Sequence, residues 1–513
     1  MQTESPISGT SEKAGLQLDP EAVSVESSTV NLIPAPTQSP DDPLNWASWR
    51  KATAIFTLAL TGLFMSGAPT ANQLGYVVQA PLYHKTPNQM SYGASASIAG
   101  FIAGPFAYPF LFGLFGRVSV LFWSIVVLFF CQVWAAEMTS SGDFIPLIMS
   151  RWIAGLTGSV AAVVGNGYII DTCFLHQRGR LFAVFELSFL FGAVGPTTIG
   201  GFIVQNQSLG WPWMFWWTCI ALGVCAVLVF FFVEETNFDR LNNTCIRPQG
   251  SYLAQRLTTV FTGWKVIPRS QLSEMGSRTL KSFEILIAPV TIATGLYSTM
   301  AFGFSIMCQL FINIIIQLPP QAGGYGFTPQ RNGYFSFTSW VALLVAWTIG
   351  SLVNDRIPLQ TARRNQGVWH PEYRLLPLVI PGLLLPIGLG IYGAALEYHL
   401  HYMVLALGQF LVQLSSQLSV PICVNYVTES FISSPIEVAI AMNAWRLFLG
   451  LGLPFATEPW IEKVGPGWAF GTAAFMMVAA GLWMIVVAMK GHALRRLQVS
   501  SHLADAEDGA VVS

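Results

Sequence analysis

Twelve apolar runs of about twenty residues are the feature that most constrains how this chain can fold. About 20 helical residues cross a hydrocarbon layer roughly 30 Å thick, and a backbone in lipid must satisfy its own hydrogen bonds. We therefore predict an all-α integral membrane protein with twelve transmembrane helices. The predicted helices cover approximately residues 52–79, 93–115, 118–137, 143–169, 180–204, 212–234, 284–317, 330–354, 375–397, 400–427, 436–459 and 466–490.

Composition and charge exclude several other classes of protein. Only 10% of the 513 residues are charged, compared with about 25% in soluble globular domains. The net charge of −1 and the lack of a basic run with interleaved aromatic residues give no indication of a nucleic-acid partner. The seven cysteines show no spacing typical of a disulfide framework or a zinc site. No P-loop sequence is present, and we predict no metal, no cofactor and no enzymatic activity.

The twelve runs form two groups of six around a polar, basic segment. We predict five parts: a disordered cytosolic tail (1–50), an N-terminal six-helix half (51–234), a basic cytosolic linker (235–283), a C-terminal six-helix half (284–490) and a second cytosolic tail (491–513). Most lysines and arginines fall in the tails, the linker and the loops that precede odd-numbered helices. This positive-inside pattern predicts that both termini are cytosolic.

Two charged residues and a row of small residues inside predicted helices indicate a transporter. Arg151, in the fourth helix, is costly inside hydrocarbon and marks a path for substrate or ions. The alternative is a structural arginine that bonds backbone carbonyls. Glu186, in the fifth helix, either carries a proton or is anchored by basic residues of the cytosolic turns. The same helix contains residues that allow close packing and bending, namely Gly192, Gly195, Pro196, Gly200 and Gly201.

Polar residues at helical spacing predict a central cavity. Gln409, Gln413 and Gln417 of the tenth helix lie four residues apart and share one face. Such amides must face water or hydrogen-bond to other helices, because lipid offers no partner, and both alternatives remain open. For Arg446 in the eleventh helix, the alternative to a cavity is a packing role. The predicted cavity consists of Asn72, Gln73, Tyr297, Gln309, Asn313, Gln409, Gln413, Gln417, Asn443 and Arg446.

Several short motifs follow one another in a fixed order along the chain. They are Asp42–Trp46 with Arg50 and Lys51, Arg151 with Gly155, Arg178–Arg180, the Gly-Pro element of the fifth helix, Tyr325–Thr328, Pro371–Leu375 and Tyr426–Ser430. By these motifs the chain from about Asp41 onward resembles the major facilitator superfamily. More narrowly, it resembles the fungal twelve-helix branch related to drug:proton antiporters. The resemblance implies the major facilitator fold, with two six-helix halves.

The resemblance also assigns a conformational role to two motifs. The loop between the second and third helices, with Gly116 and Arg117, carries only part of the family's usual charged pattern, so its charge relay is incomplete. A fragment of that pattern at Asp355 and Arg356 fits an internal repeat. The glycines of the fifth helix match the family's antiporter element, with three residues instead of two between its Gly-Pro and Gly-Gly pairs.

The function implied by the resemblance is proton-coupled secondary active transport, with export of a small organic compound such as a drug or secondary metabolite by alternating access. Arg151 and Glu186 would couple the protons. The partners would be the substrate, protons and the lipid bilayer, and the protein would act as a monomer in the plasma membrane. One alternative is a proton symporter that imports a cationic nutrient such as a polyamine, although the first helix has no acid to hold a cation. Another is a non-transporting sensor that resembles a transporter.

Overall fold

The computed structural model of this chain is almost entirely helical. It describes residues 41–206, 208–236, 250–261 and 271–496, together with Thr37, Ser39 and Phe238. Twelve helices are long and apolar enough to span a membrane, and the described residues contain no β-strand. The predicted all-α membrane fold is therefore confirmed. Most of the predicted N-terminal tail, linker positions 239–249 and 262–270 and the C-terminal positions 497–513 lie outside the described residues.

The spanning helices, labelled α1 to α12, follow the predicted runs closely. They cover Ser48–Gln79, Pro87–Phe115, Arg117–Glu137, Phe144–Thr172, Gln177–Gln205, Trp213–Phe232, Pro289–Ile315, Pro329–Arg364, Pro371–Glu397, Tyr402–Ser430, Pro435–Val464 and Pro466–Arg495. α7 begins at Pro289, later than predicted, because a separate linker helix, Gln271–Leu286, ends just before it. Proline suits the first turn of a helix, where its missing N–H is not needed.

A local break in α1 exposes backbone that a regular helix would hide. α1 is regular as far as Gly67 and then forms a 3₁₀ turn at Ala68–Thr70. Pro69, inside that turn, has no N–H and cannot continue the α-helical hydrogen bonds. The carbonyl oxygen of Ala68 accepts a hydrogen bond from Arg151 instead.

Each group of six helices has its own hydrophobic core. Leu121 and Phe185 lie in the core of the N-terminal half, and Leu389 and Phe470 lie in that of the C-terminal half. A smaller third cluster joins the two halves at one end of the molecule, where Tyr76 lies near Ile314. A separate core in each half is the arrangement that rigid-body motion of the halves requires.

Ion pairs concentrate on the face of the molecule where the described chain begins and ends, here called the terminal face; the opposite side is the distal face. In the N-terminal half Glu234 pairs with Arg50 and Arg256, and Asp171 pairs with Arg117. In the C-terminal half the helix ends are joined in a similar way. There Arg374 pairs with Asp355 at 2.7 Å and with Glu429 at 2.5 Å, and Arg495 pairs with Glu372 at 2.7 Å.

The partial charged motif between α2 and α3 is completed by residues from elsewhere. Besides pairing with Asp171, Arg117 begins a helix whose first N–H groups are capped by Glu235, at 3.3 Å from Arg117 N and 3.0 Å from Val118 N. Burial raises the pKa of Glu235, and these hydrogen bonds and the charge of Arg117 oppose that shift. The start of the linker is thus fastened to the N-terminal half.

Candidate functional site

The two halves are closed against each other at the distal face by side-chain amides. Asn313 Nδ2 of α7 donates to Gln73 Oε1 of α1 at 3.3 Å. Just beyond the end of α7, Gln317 Nε2 donates to the carbonyl oxygen of Leu74 at 3.0 Å. Asn72 is also buried and donates to Gln79 at 3.5 Å. Asn72 and Gln73, the residues of α1 predicted to line the cavity, therefore lie where the halves meet at the distal face.

A second distal contact joins α2 to α11. Asn88 Nδ2 donates to Glu458 Oε2 at 3.0 Å and to the carbonyl oxygen of Pro454 at 3.3 Å. Deeper in the same pair of helices, Asn443 Nδ2 donates to the carbonyl oxygen of Phe101 at 3.1 Å. Asn443, predicted to line the cavity, thus holds the two halves together.

On the terminal face a small cleft lies between the halves. The cleft lies between α2, α3 and α4 on one side and α11 and the second linker helix on the other. Its lining residues are Pro109, Phe112, Arg117, Val163, Gly167, Arg278, Ile436, Glu437 and Ile440. α5 stays packed on α8, and α2 on α11. The halves are therefore joined by side-chain amides at the distal face and leave a small cleft at the terminal face.

Gln409 and Gln413 of α10 form hydrogen bonds to neighbouring helices. Gln409 Nε2 donates to Gln309 Oε1 at 2.8 Å, and Ser339 of α8 donates to the same oxygen at 3.0 Å. Ser305 of α7 donates to Gln413 Oε1 at 2.7 Å. Gln417, half-buried, makes no hydrogen bond within the described part of the chain. Nearby, the hydroxyl of Tyr297 is buried and lies 3.4 Å from that of Ser419.

Arg151 is sealed inside the N-terminal half, with only 1% of its surface exposed. Its NH1 donates to the carbonyl oxygen of Ala68 at 3.3 Å, and its NH2 donates to that of Cys131 at 3.2 Å. The guanidinium also lies 4.8 Å from the ring centre of Phe215, at a distance suited to a cation–π interaction. Arg151 therefore ties α1, α3 and α6 to α4.

Glu186 lies in different surroundings, at the boundary between the halves. Asn166 Nδ2 of α4 donates to Glu186 Oε1 at 3.0 Å. The carboxylate acts electrostatically on Arg446 of α11, in the other half, and the Arg446 guanidinium lies 5.3 Å from the ring centre of Phe302 of α7. Glu186 and Arg446 form no ion pair within the described residues, although their charges interact between the halves. The hydrogen bonds of Arg151 do not include Glu186.

Sequence reasoning missed Asn166, Asn88 and Gln317. Asn166 stands between two glycines within an apolar stretch, and the rarity of polar side chains inside membrane helices is a signal that could have identified it. Asn88 and Gln317 lie at helix ends, where polar residues are common and carry no such signal.

Comparison with known sequences decides the family. The sequence model of the Major Facilitator Superfamily matches residues 52–408, which is more than half of the chain. The chain belongs to the Major Facilitator Superfamily. It is therefore a transporter, not an enzyme, and members of this superfamily carry small molecules.

Two similar sequences in the superfamily come from fungi. The chain is 26% identical over 447 residues to "Efflux pump radE" of Floropilus chiversii, which covers 86% of this chain and 80% of the relative. It is 24% identical over 474 residues to "MFS-type transporter hepF" of Aspergillus oryzae, with coverage of 89% and 92%. Among solved structures, the partially occluded inward open form of the xylose transporter XylE from E. coli matches with a TM-score of 0.61 at 16% identity. That match covers 86% of this chain and 98% of the other, and it shows the shared fold.

The glycines that carry the superfamily resemblance lie on two faces of α5. Gly192 and Gly200 face α1 at very short range. A Cβ added to Gly192 would lie 1.9 Å from Ser66 Oγ, and one added to Gly200 would lie 2.4 Å from the carbonyl oxygen of Ala71. No other residue fits these two positions without displacing α1.

The opposite face of α5 meets α8 of the C-terminal half. Gly201 lies at the edge of this face, since a Cβ there would lie 2.6 Å from Leu74 Cδ1 of α1 and 2.9 Å from the carbonyl oxygen of Pro329. A Cβ added to Gly195 would lie 3.7 Å from Trp340, at ordinary contact distance. Trp340 Nε1 donates to Thr198 Oγ1 at 3.1 Å across the same interface. One face of α5 thus fixes the N-terminal half, and the other forms the contact between halves.

We expect Gly195→Leu to slow transport and Gly195→Ala to leave it nearly unchanged. The Cβ of alanine fits, but the further atoms of leucine would enter the space of Trp340, and such overpacking costs about 1–3 kcal/mol. The cost falls on the interface between the halves, so insertion should be harmed less than turnover. The measurement is the initial transport rate per inserted molecule in proteoliposomes. A normal rate for Gly195→Leu would contradict a close α5–α8 contact.

Proposed function

We propose that this protein is a proton-coupled secondary active transporter that exports a small organic compound by alternating access. The observation that carries the proposal is Glu186, a half-buried carboxyl between the halves that is bonded to Asn166 and acts on Arg446. The proton affinity of a carboxyl depends on nearby charge and hydrogen bonds. A carboxyl bonded in one half and influenced by a charge of the other meets different surroundings when the halves move, which is what proton coupling requires.

The proposed cycle uses the two ends of the molecule in turn. With the terminal face open, the substrate enters through the cleft. The distal contacts of Asn313 with Gln73 and of Asn88 with Glu458 then break while the terminal face closes. Glu186 takes up a proton on the distal side and releases it on the terminal side. Arg151 contributes indirectly, since it holds together the helices that surround Glu186.

Export is supported by the names of two relatives. "Efflux pump radE" of Floropilus chiversii and "Efflux pump FUBT" of Fusarium oxysporum are 26% and 24% identical to this chain over most of its length. We infer that this protein also moves its substrate out of the cytosol, as a monomer in the plasma membrane.

Transport in sealed vesicles tests the proposal. Purified protein is reconstituted, a pH gradient is imposed, and a panel of organic compounds is followed with and without a protonophore. We expect at least one compound to accumulate against its gradient and the protonophore to abolish that accumulation. Accumulation that survives the protonophore would refute proton coupling, and movement in the direction of the protons would refute exchange.

The orientation is a separate prediction. Because basic residues concentrate in the loops of the terminal face, we expect tags at both termini and within the 235–283 linker to lie in the cytosol. In inside-out vesicles an added protease should remove all three tags. Protection of any of them would overturn the orientation without affecting the fold.

A further inference from the structure

We propose that the first helix of the linker, Tyr252–Phe261, lies in the membrane surface and has the bilayer itself as its partner. One face of this first linker helix contacts the headgroups and upper acyl chains of the phospholipids in the leaflet at the terminal face. Contact with lipid at this position requires neither proton coupling nor a given direction of transport.

The polarity of the first linker helix is the reverse of that expected for a helix facing water. Its outward side carries Leu253, Leu257 and Phe261, which lie four residues apart on one face and have 54%, 48% and 49% of their surface exposed. Its one charged residue, Arg256, faces the protein and is buried. A helix in water would bury the leucines and expose the arginine. The outward side therefore suits an apolar solvent.

The inward side of this helix is fastened to the N-terminal half by Arg256. Its NH1 donates to the carbonyl oxygen of Val233 at 2.8 Å, and its NH2 donates to that of Phe231 at 3.0 Å. Both carbonyl groups lie at the end of α6, where a cation is favourable. Arg256 also pairs with Glu234 at 3.3 Å. The charge is thus satisfied within the protein, and the outward side is left apolar.

Hydrogen bonds at both ends of the helix place it at the edge of the apolar layer. The carbonyl oxygen of Val260 accepts from Ser119 Oγ at 2.8 Å and from Trp123 Nε1 at 3.2 Å, both in the first two turns of α3. At the other end, the hydroxyl of Tyr252 donates to the carbonyl oxygen of Phe231. Tryptophan and tyrosine collect at membrane–water interfaces. Bonded within the protein, these polar groups can lie beside lipid at little cost.

The outward side of the helix continues the lipid-facing surface of the spanning helices. Phe261 packs edge to face on Trp123, with 5.5 Å between ring centres. Trp123 is exposed on the outer side of α3, as are Val127 and Phe130 further along it, and Phe231 is exposed on α6. The bilayer that surrounds α3 and α6 therefore also reaches the outward side of the first linker helix.

Spin labels on the purified full-length protein test where this side lies. Cys245→Ser removes the cysteine of the linker, and the other six cysteines are buried. A nitroxide is attached at Leu257→Cys, at Phe130→Cys as the lipid reference, and at Arg364→Cys, exposed at the end of α8, as the water reference. Collision rates of each label with oxygen, which concentrates among acyl chains, and with a water-soluble nickel chelate are measured in nanodiscs.

We expect the label at Leu257→Cys to collide with oxygen more often than with the nickel chelate, as at Phe130→Cys, and the label at Arg364→Cys to show the reverse. The outward side carries no charged residue, so its contact with lipid depends on the apolar area that it buries. The result should therefore be the same in phosphatidylcholine alone and in mixtures with phosphatidylglycerol.

Proteolysis in nanodiscs gives a second measurement that needs no label. Trypsin can cleave after Arg256 only when the first linker helix leaves its position, because that side chain is buried. Leu253→Ser removes apolar contact with lipid and should speed this cleavage about fivefold, the value of burying roughly half a leucine side chain. Ala254→Ser, at the next exposed position, adds the same hydroxyl without removing a large apolar group and should be cleaved at the unmodified rate.

Four outcomes would contradict contact with lipid through an apolar face. If the helix faces water, the label at Leu257→Cys collides more often with nickel than with oxygen. If residues 262–270 or a second copy of the chain cover the helix, that label collides rarely with either. An unchanged cleavage rate for Leu253→Ser would show that the face gains nothing from apolar burial. Deeper insertion with phosphatidylglycerol would assign the contact to headgroup charge instead.

Discussion

Glu186→Gln abolishes uphill export driven by a pH gradient, while ligand binding and passive exchange remain measurable. Glutamine has the shape of the protonated acid and can still bond to Asn166, but it cannot release a proton. The expected accumulation in vesicles equals that of the unmodified protein with protonophore. Counterflow of labelled against unlabelled substrate, which needs no proton gradient, reports on the remaining exchange.

The matched control is Glu137→Gln, at an exposed position near the distal end of α3, which should transport normally. If Glu186→Gln still accumulates substrate and remains sensitive to the protonophore, Glu186 is an anchoring residue. The coupling carboxyl would then be sought at Glu429, which pairs with Arg374, or at Glu458, which accepts from Asn88.

Arg151→Met lowers the stability of the N-terminal half by several kcal/mol. The change leaves the carbonyl oxygens of Ala68 and Cys131 without their donor, and each buried unpaired group costs about 1–3 kcal/mol. It also removes the contact with Phe215. We expect a lower melting temperature, less protein in the membrane and little transport. For Arg151→Lys we expect values between those of Arg151→Met and the unmodified protein. Lysine keeps the positive charge, but its ammonium cannot reproduce the planar arrangement of N–H donors on a guanidinium.

Arg331→Met is the control, since Arg331 is exposed at the start of α8 and its loss should leave the melting temperature unchanged. A normal melting temperature for Arg151→Met together with lost transport would contradict a structural role. Arg151 would then act directly on substrate or protons.

The lengths of the apolar runs predicted the helices well, because every helix that crosses the lipid needs about the same number of apolar residues. The differences occur where a helix leaves the apolar layer. α8 continues past the predicted end at 354 to Arg364, since its last turns are polar and helical hydrogen bonds do not depend on lipid. A hydropathy pattern reports only the apolar part of such a helix.

The candidate site was less predictable, because spacing within one helix does not identify the neighbouring helix. The four-residue spacing correctly put Gln409 and Gln413 on one face, yet only the packing of α7 against α10 shows that they bond to Gln309 and Ser305. Similarly, Glu186 was named from its isolation in the sequence. Its hydrogen bond to Asn166 of α4 depends on how α4 and α5 pack.

The burial of Arg151 also has an electrical consequence. Within the described part of the chain it donates to two carbonyl oxygens and to the hydroxyl of Ser150 and lies near an aromatic ring, and it pairs with no carboxylate. A whole positive charge therefore travels with the N-terminal half. Moving one charge across the full membrane field changes its energy by about 2.3 kcal/mol per 100 mV. If rocking carries Arg151 through roughly a tenth of that field, 100 mV changes the ratio of the two conformations about 1.5-fold. Membrane voltage would then bias the resting orientation of the empty carrier.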